Sequence, residues 1–221
     1  MTVLVEAAVD SLEDALAAVQ GGADRLELCA NLSVGGTTPD PALIEAVLGR
    51  VEVPVYSMIR PRGGSFVYSG EELDVMRRDV DNALALGCAG VVLGVLDDMN
   101  RVDVARTRSL VEIAGGDRVT FHRALDRAPD IFAAADTLIS IGIARVLTSG
   151  GAPSAADGAE ILNALVARSA GQLQILAGGG VRAHNVRDII QRGNVREVHA
   201  RCEQDAARIR AIKDAVSVQP S

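Results

Sequence analysis

Aromatic residues are scarce in this 221-residue chain, at 2% of positions and with no tryptophan. A core must then be assembled from finely divided aliphatic side chains, which suits helices packed on strands. Cysteine is equally sparse. Cys29, Cys88 and Cys202 form an odd set with no CxxC, which argues against a disulfide framework and a structural zinc site and leaves reduced thiols. No run of Lys or Arg interrupts a balance of 29 acidic and 22 basic residues, net charge −7, so neither nucleic acid nor an anionic membrane surface is expected as a partner. No apolar stretch approaches the roughly 18 residues of a spanning helix, and the start "MTVLVEAAVDS" lacks the basic and apolar regions of a signal peptide. A cytoplasmic protein is expected. Composition nowhere shifts sharply enough to mark a boundary, so the expectation is one domain over residues 1–217 with a disordered tail at 218–221.

What fills the chain is alternation. Short β-rich runs exchange with Ala- and Leu-rich runs of helical period from end to end. Val3–Glu6, Arg25–Cys29, Val55–Arg60, Gly90–Gly94, Arg118–His122, Arg145–Thr148, Gln174–Ala177 and Glu197–Ala200 read as strands, each followed by a helix. Ser11 ahead of Asp14 caps the first helix and Gly21-Gly22 stops it, while Thr38 and Pro39 open the second. A Ser69/Glu72 capping box opens the third, Ser154 with Asp157 opens a later one, and the last runs from about Glu203 to Val216. Eight rounds of roughly 27 residues are near the minimum for a βα unit. The spacing predicts a compact (β/α)8 TIM barrel, an α/β fold with few insertions. The competitor is an open doubly wound sheet, but the GxGxxG that would favour it is missing after the first strand.

In a barrel of this kind chemistry sits on the rim where the C-terminal strand ends converge. The strands end at Glu6, Glu27 with Cys29, Arg60 with Arg62, Gly94, His122 with Arg123, Thr148–Gly151, Gly178–Gly180 and His199. Glu27, Arg60, His122, Arg123 and His199 are the catalytic candidates. Glu27 lies between Leu26 and Leu28 and should face inward, where a carboxylate needs a partner. Pairing with Arg60 or Arg123 explains it as well as general-base chemistry does. The loop "IRPRGGSFVYS" stiffens at Pro61, flexes at Gly63-Gly64 and carries Phe66 and Tyr68. Its Arg60 and Arg62 read as an anion clamp in a lid, or as partners for Glu27 or Glu6. The turns "TSGG" and "AGGG" offer an anion the amides around Ser149, Gly150, Gly179 and Gly180, although strand eight ends in "HARCEQ" without a glycine. In "VTFHRALD", His122 and Arg123 face opposite ways, so one should enter the barrel mouth and the other anchor the following loop to Asp126. As metal ligands, Cys29, His122 and His199 would suit Cu(I) or Zn(II) if the barrel brings them together. The alternative for Cys29 is a small buried hydrophobe. Cys88 falls at the opposite end, and His184 on a helix surface.

The blocks "GGADRLELCANLSVGGTTP", "VPVYSMIRPRGGSFVYS", "VTFHRALD", "RVLTSGGAPSA", "AGGGVR" and "REVHA" occur in this order and span essentially the whole chain. Together they resemble the CutC family of copper-homeostasis proteins. The resemblance implies a (β/α)8 barrel, a cytoplasmic location, self-association as a dimer or tetramer, and copper handling with Cu(I) held by cysteines. Where that family often carries "EVC", this chain has "VEAAVD", with Ala8 at the thiol position. Cys29 in "ELCAN" is the family thiol that remains, and Cys202 is additional. Two expectations follow. One is a Cu(I)-binding homeostasis protein relying on Cys29; the other is an enzyme acting at the rim on a small anionic or phosphorylated metabolite.

Overall fold

The computed structural model describes residues 3–217, so the tail expected at 218–221 lies outside the described residues. In chain order the elements are β1 (Leu4–Val9), α1 (Leu12–Gln20), β2 (Arg25–Leu28), α2 (Pro41–Leu48), β3 (Val55–Met58), α3 (Gly70–Leu86), β4 (Gly90–Leu93) and α4 (Val104–Ala114). They continue with β5 (Val119–Phe121), α5 (Ile131–Ser140), β6 (Arg145–Thr148), α6 (Ala159–Ser169), β7 (Gln174–Gly178), α7 (Val186–Gly193), β8 (Glu197–Arg201) and α8 (Ala206–Ser217). Every strand runs parallel to its neighbours and β8 closes on β1, giving the eight-stranded barrel that the alternation predicts. No described helix is long and apolar enough to cross a membrane.

Strand alternation sorts the side chains into two sets. Val5, Ala7, Val9, Leu26 and Leu28 face outward and join the large aliphatic core beneath the helices. The inward set is mixed: Cys29, Tyr56, Met58 and Val92 form a small apolar cluster of their own, and other inward positions carry charge. Low in the barrel, Arg25 donates to Glu6 at 2.5 Å and to Glu197 at 2.6 Å, and Arg145 donates to Glu197 at 3.0 Å and to Thr120 Oγ1 at 3.2 Å. The two guanidinium groups lie over the Tyr56 ring at 5.4 and 5.3 Å from its centroid. Gly90 is required here, because a Cβ at that position would overlap the Tyr56 ring and the Arg118 carbonyl.

Local signals hold where nothing competes for them. Ser11 caps α1, and the Ser69/Glu72 box forms at α3 with both of its hydrogen bonds. At α2 the cap is Asp40 with Pro41 in the first turn, two residues later than Thr38 and Pro39. Thr38 is already committed, since its Oγ1 and N–H bind the backbone of Arg60. Ser154 and Asp157 cap a turn ahead of α6, which begins only after Gly158. α8 starts at Ala206, because Glu203 and Gln204 have φ of 56° and 55° and cannot be helical. β1 runs on to Val9, which moves Glu6 from the expected strand end into the barrel interior.

Candidate functional site

At the C-terminal ends of the strands a cavity of about 700 Å³ opens, lined by Ala8, Glu27, Met58, Arg60, Phe66, His122, Arg123, Asp126, Gly179, Gly180 and His199 among others. Its floor is built on three adjacent strands. The register sets Glu6 of β1 beside His199 of β8, and the imidazole Nδ1 meets Glu6 Oε1 at 2.7 Å. Nε2 is thereby turned toward Glu27 of β2, 3.8 Å from Oε2. The second Glu27 oxygen, Oε1, is buried without a partner among the described residues.

The pKa values of the two floor carboxyls move in opposite directions because their neighbours differ. Burial opposes ionisation of Glu6, but Arg25 and then His199 overcome it and hold its pKa down at about 2. Burial pushes the Glu27 carboxyl up, and the opposing charge of His199 offsets this only in part. Burial likewise works against a charged His199, yet Glu27 and then Glu6 outweigh it and raise the imidazole. Both pKa values are thus shifted up, that of Glu27 by burial and that of His199 by the two carboxylates, with Glu6 and Arg25 fixing the imidazole from behind.

The walls depart from expectation in several places. Among the described residues Arg60 contacts no carboxylate; it donates to the carbonyls of Val34, Gly36 and Gly64, each at 3.0 Å, and ties two loops together across the cavity edge. The expected pairing of Glu27 with Arg60 or Arg123 is absent. Arg62 does not reach the cavity, because its guanidinium is spent on Glu72 at 2.6 Å and on the carbonyls of Ser65 and Val67. The "IRPRGGSFVYS" loop thus contributes one arginine to the cavity where two are expected.

His122 and Arg123 separate as strand alternation requires. The His122 ring enters the barrel, its Nδ1 accepting the Ala124 N–H at 3.2 Å, and burial with the nearby Arg60 charge lowers its pKa to about 3. Arg123 Nε bonds Asp126 at 2.8 Å and Nη2 bonds Ser149 Oγ at 2.8 Å. Asp126 decides the fate of the turn after β6: it accepts from Thr148 Oγ1, from the Ser149 amide at 3.1 Å and from the Gly151 amide at 3.1 Å. The Gly150 amide is taken by Thr148 Oγ1 at 2.9 Å. Ser149 and Gly150, expected to cradle an external anion, are thus already occupied by the chain's own side chains. Gly179 and Gly180 differ: both line the cavity with φ of 107° and 74°, and a Cβ on Gly179 would crowd the Arg123 guanidinium.

Residues that the sequence reading passed over include Arg25, which fixes Glu6, and Arg127, Arg182 and Arg201, which also line the cavity. Arg25 shares inward parity with Glu27 and was readable on that ground. His184 is exposed in the turn before α7, and Cys88 is buried ahead of β4.

Among the described residues no thiol belongs to a group of three side chains with metal-ligand spacing. Cys29 is fully buried, its Sγ 3.6 Å from Glu27 Oε2, and burial followed by the Glu27 charge pushes its pKa well up. Cys202 Sγ turns to the Asp205 carbonyl at 3.8 Å. Among the described residues the one grouping with metal-ligand spacing is Glu6, Glu27 and His199. That set holds no sulfur, it excludes Cys29 and His122, and its Glu6 is engaged by Arg25. The expected convergence of Cys29, His122 and His199 is therefore corrected.

The sequence profile of the CutC family matches residues 3–204. The chain belongs to the CutC family. It is 47% identical over 196 residues to a family protein CutC of Xylella fastidiosa strain 9a5c, covering 89% of this chain and 73% of that one. It is 44% identical over 200 residues to a family protein CutC of Sinorhizobium medicae strain WSM419, covering 90% and 81%. Among solved structures, a putative copper homeostasis protein CutC from Streptococcus agalactiae superimposes with a TM-score of 0.85 at 34% identity, covering 90% of this chain and 98% of that one. The CutC barrel of that protein and the barrel described here are thus one fold.

Proposed function

We propose that this CutC-family barrel is an acid–base enzyme that moves a proton on a small anionic metabolite, with Glu27 and His199 as the proton-transfer residues. The observation that carries the reading is the charge of the cavity. The chain has a net charge of −7, yet the cavity is lined by Arg60, Arg123, Arg127, Arg182 and Arg201 against Glu27, Asp126 and Glu203. Asp126 is neutralised by Arg123, and Glu203 by Arg208 at 2.5 Å. Burial shifts Glu27 toward its neutral form. An excess of positive charge in an acidic protein, focused in a concave site, selects an anion.

The floor supplies the chemistry. His199 donates its Nδ1 proton to Glu6, which orients Nε2 toward Glu27 and toward the cavity. A carboxyl whose pKa burial raises is a stronger base once ionised, so it can take a substrate proton and, beside the imidazole, give it back. Glu6 and Arg25 act as positioning residues beneath it.

Copper homeostasis is the role printed for the Streptococcus relative; for this chain the donor set argues against Cu(I) as the bound species. Anaerobic Cu(I) titration against a competing chelator is expected to give no binding that Cys29→Ala or Cys202→Ala weakens. Tight binding lost in either variant would restore the copper reading. The enzyme reading is tested by incubating the protein in D2O with small carboxylic and phosphorylated acids and following carbon-bound deuterium by NMR. Exchange that Glu27→Gln slows at least a hundredfold is expected; no exchange with any of them, or exchange unaffected by the substitution, overturns it.

A further inference from the structure

Across the barrel from β1, the cavity wall formed by Arg60, Phe66 and His122 is left with two unanswered donors. Arg60 and His122 are each 4% exposed. Arg60 spends Nη1 and Nη2 on loop carbonyls, but no carboxylate among the described residues forms an ion pair with it, and its Nε makes no hydrogen bond, with the buried and equally unpaired Tyr68 hydroxyl beside the guanidinium. Because His122 Nδ1 accepts the Ala124 amide proton, the neutral ring carries its proton on Nε2, and that N–H also has no acceptor. Phe66 backs both groups, its ring 4.9 Å from Arg60 Cζ and 4.8 Å from the His122 ring. Gly94 makes room for the imidazole, since a Cβ there would overlap its Cε1 and Nδ1. A buried donor without an acceptor costs about 1–3 kcal/mol and a buried unpaired cation more. Two such groups on one wall of a ligand-sized cavity are a cost that a ligand oxygen recovers.

We propose that Arg60 Nε and His122 Nε2 form a two-donor subsite for a singly charged oxyanion, the carboxylate of a small carboxylic acid, seated against Phe66. The inference rests on the anion-binding pocket proposed above and names its ligand class. One guanidinium and one neutral imidazole match one negative charge. A phosphate would press further oxygens against Phe66, Met58 and Leu147, which line the same cavity and offer them no donor. The neutrality of His122, enforced by burial and by Arg60, is what sets that selectivity, and it makes His122 a donor to the ligand while Glu27 and His199 carry the moving proton.

The test is 15N-histidine NMR of the whole protein, titrated in parallel with acetate, pyruvate and inorganic phosphate. His122 is expected as the neutral Nε2–H tautomer from pH 5 to 8. Acetate and pyruvate should move its Nε2 signal and phosphate should not. In His122→Phe and in Arg60→Lys, which keeps the charge but has no Nε donor, carboxylate binding should weaken at least tenfold, and His122→Gln should recover part of it. An Nδ1–H tautomer, or a His122 signal that phosphate moves as carboxylates do, overturns the assignment. If His122→Phe binds carboxylates as tightly as the wild type while the His199 signal still responds, the subsite is wrong and the anion pocket stands. If no anion moves any cavity signal, both fail. Should His122→Phe not fold, the wild-type tautomer and Arg60→Lys decide.

Discussion

Glu27 and Gly94 show two ways in which a single residue sets the site. Glu27 has a folded pKa above its unfolded value, so as pH rises past the ordinary carboxylate range the native state resists an ionisation that the unfolded chain undergoes freely. Its contribution to stability is most favourable in acid and falls as pH rises toward the folded pKa. Glu27→Gln is therefore expected to raise the melting temperature by a few degrees at pH 8 and to leave it nearly unchanged at pH 4. Calorimetry at the two pH values checks this; equal shifts at both would mean that desolvation of the carboxylate is not what costs stability. Gly94→Ala drives a methyl into the His122 ring. The substitution should cost about 1–3 kcal/mol in urea denaturation and displace the His122 imidazole signals while leaving those of His184 in place.

At the scale of elements, the segment from β5 to the turn after β6 depends on Asp126, which binds Arg123, Thr148, Ser149 and Gly151. Asp126→Ala leaves two amides and a guanidinium without their acceptor, and a loss of about 3 kcal/mol is expected from equilibrium unfolding. A loss below 1 kcal/mol would mean that solvent replaces these bonds at little cost. Competition between partners of this kind also decides what was legible in sequence. The Ser69/Glu72 box and the inward parity of Glu27 are local properties, decided within a few residues, and both can be read directly from spacing. Thr38 and Arg62 could not be read in this way. Thr38 is claimed by Arg60 from another loop, and Arg62 by the carboxyl of Glu72 that also caps α3. The partners of Glu6 were hidden for a related reason: β1 runs three residues past it, and strand length depends on neighbours in the sheet more than on the strand's own residues.

For the whole molecule, pH acts mainly through groups held away from their ordinary charge. The Glu6 pKa lies below its unfolded value, so its stabilisation is present above about pH 4.5 and is lost as pH falls toward 2. His122 is held neutral to about pH 3, so the unfolded chain gains a proton below about pH 6.5 that the folded one refuses. Its contribution is present above that pH and shrinks on acidification, by an amount on the order of 4 kcal/mol. Urea unfolding at pH 7, 5 and 4 should show this as a steep loss that flattens in His122→Phe; parallel slopes would exclude His122 as its source. Asp126 carries a further consequence for the barrel as a receptor. A tethered carboxylate presents itself to the amides of the β6 turn at an effective concentration far above the millimolar level of free phosphate, so the turn is kept closed to solutes by competition. Cutting the tether reverses the competition. An Asp126→Gly protein should regain part of its lost stability as phosphate is added, by more than the wild type gains over the same range.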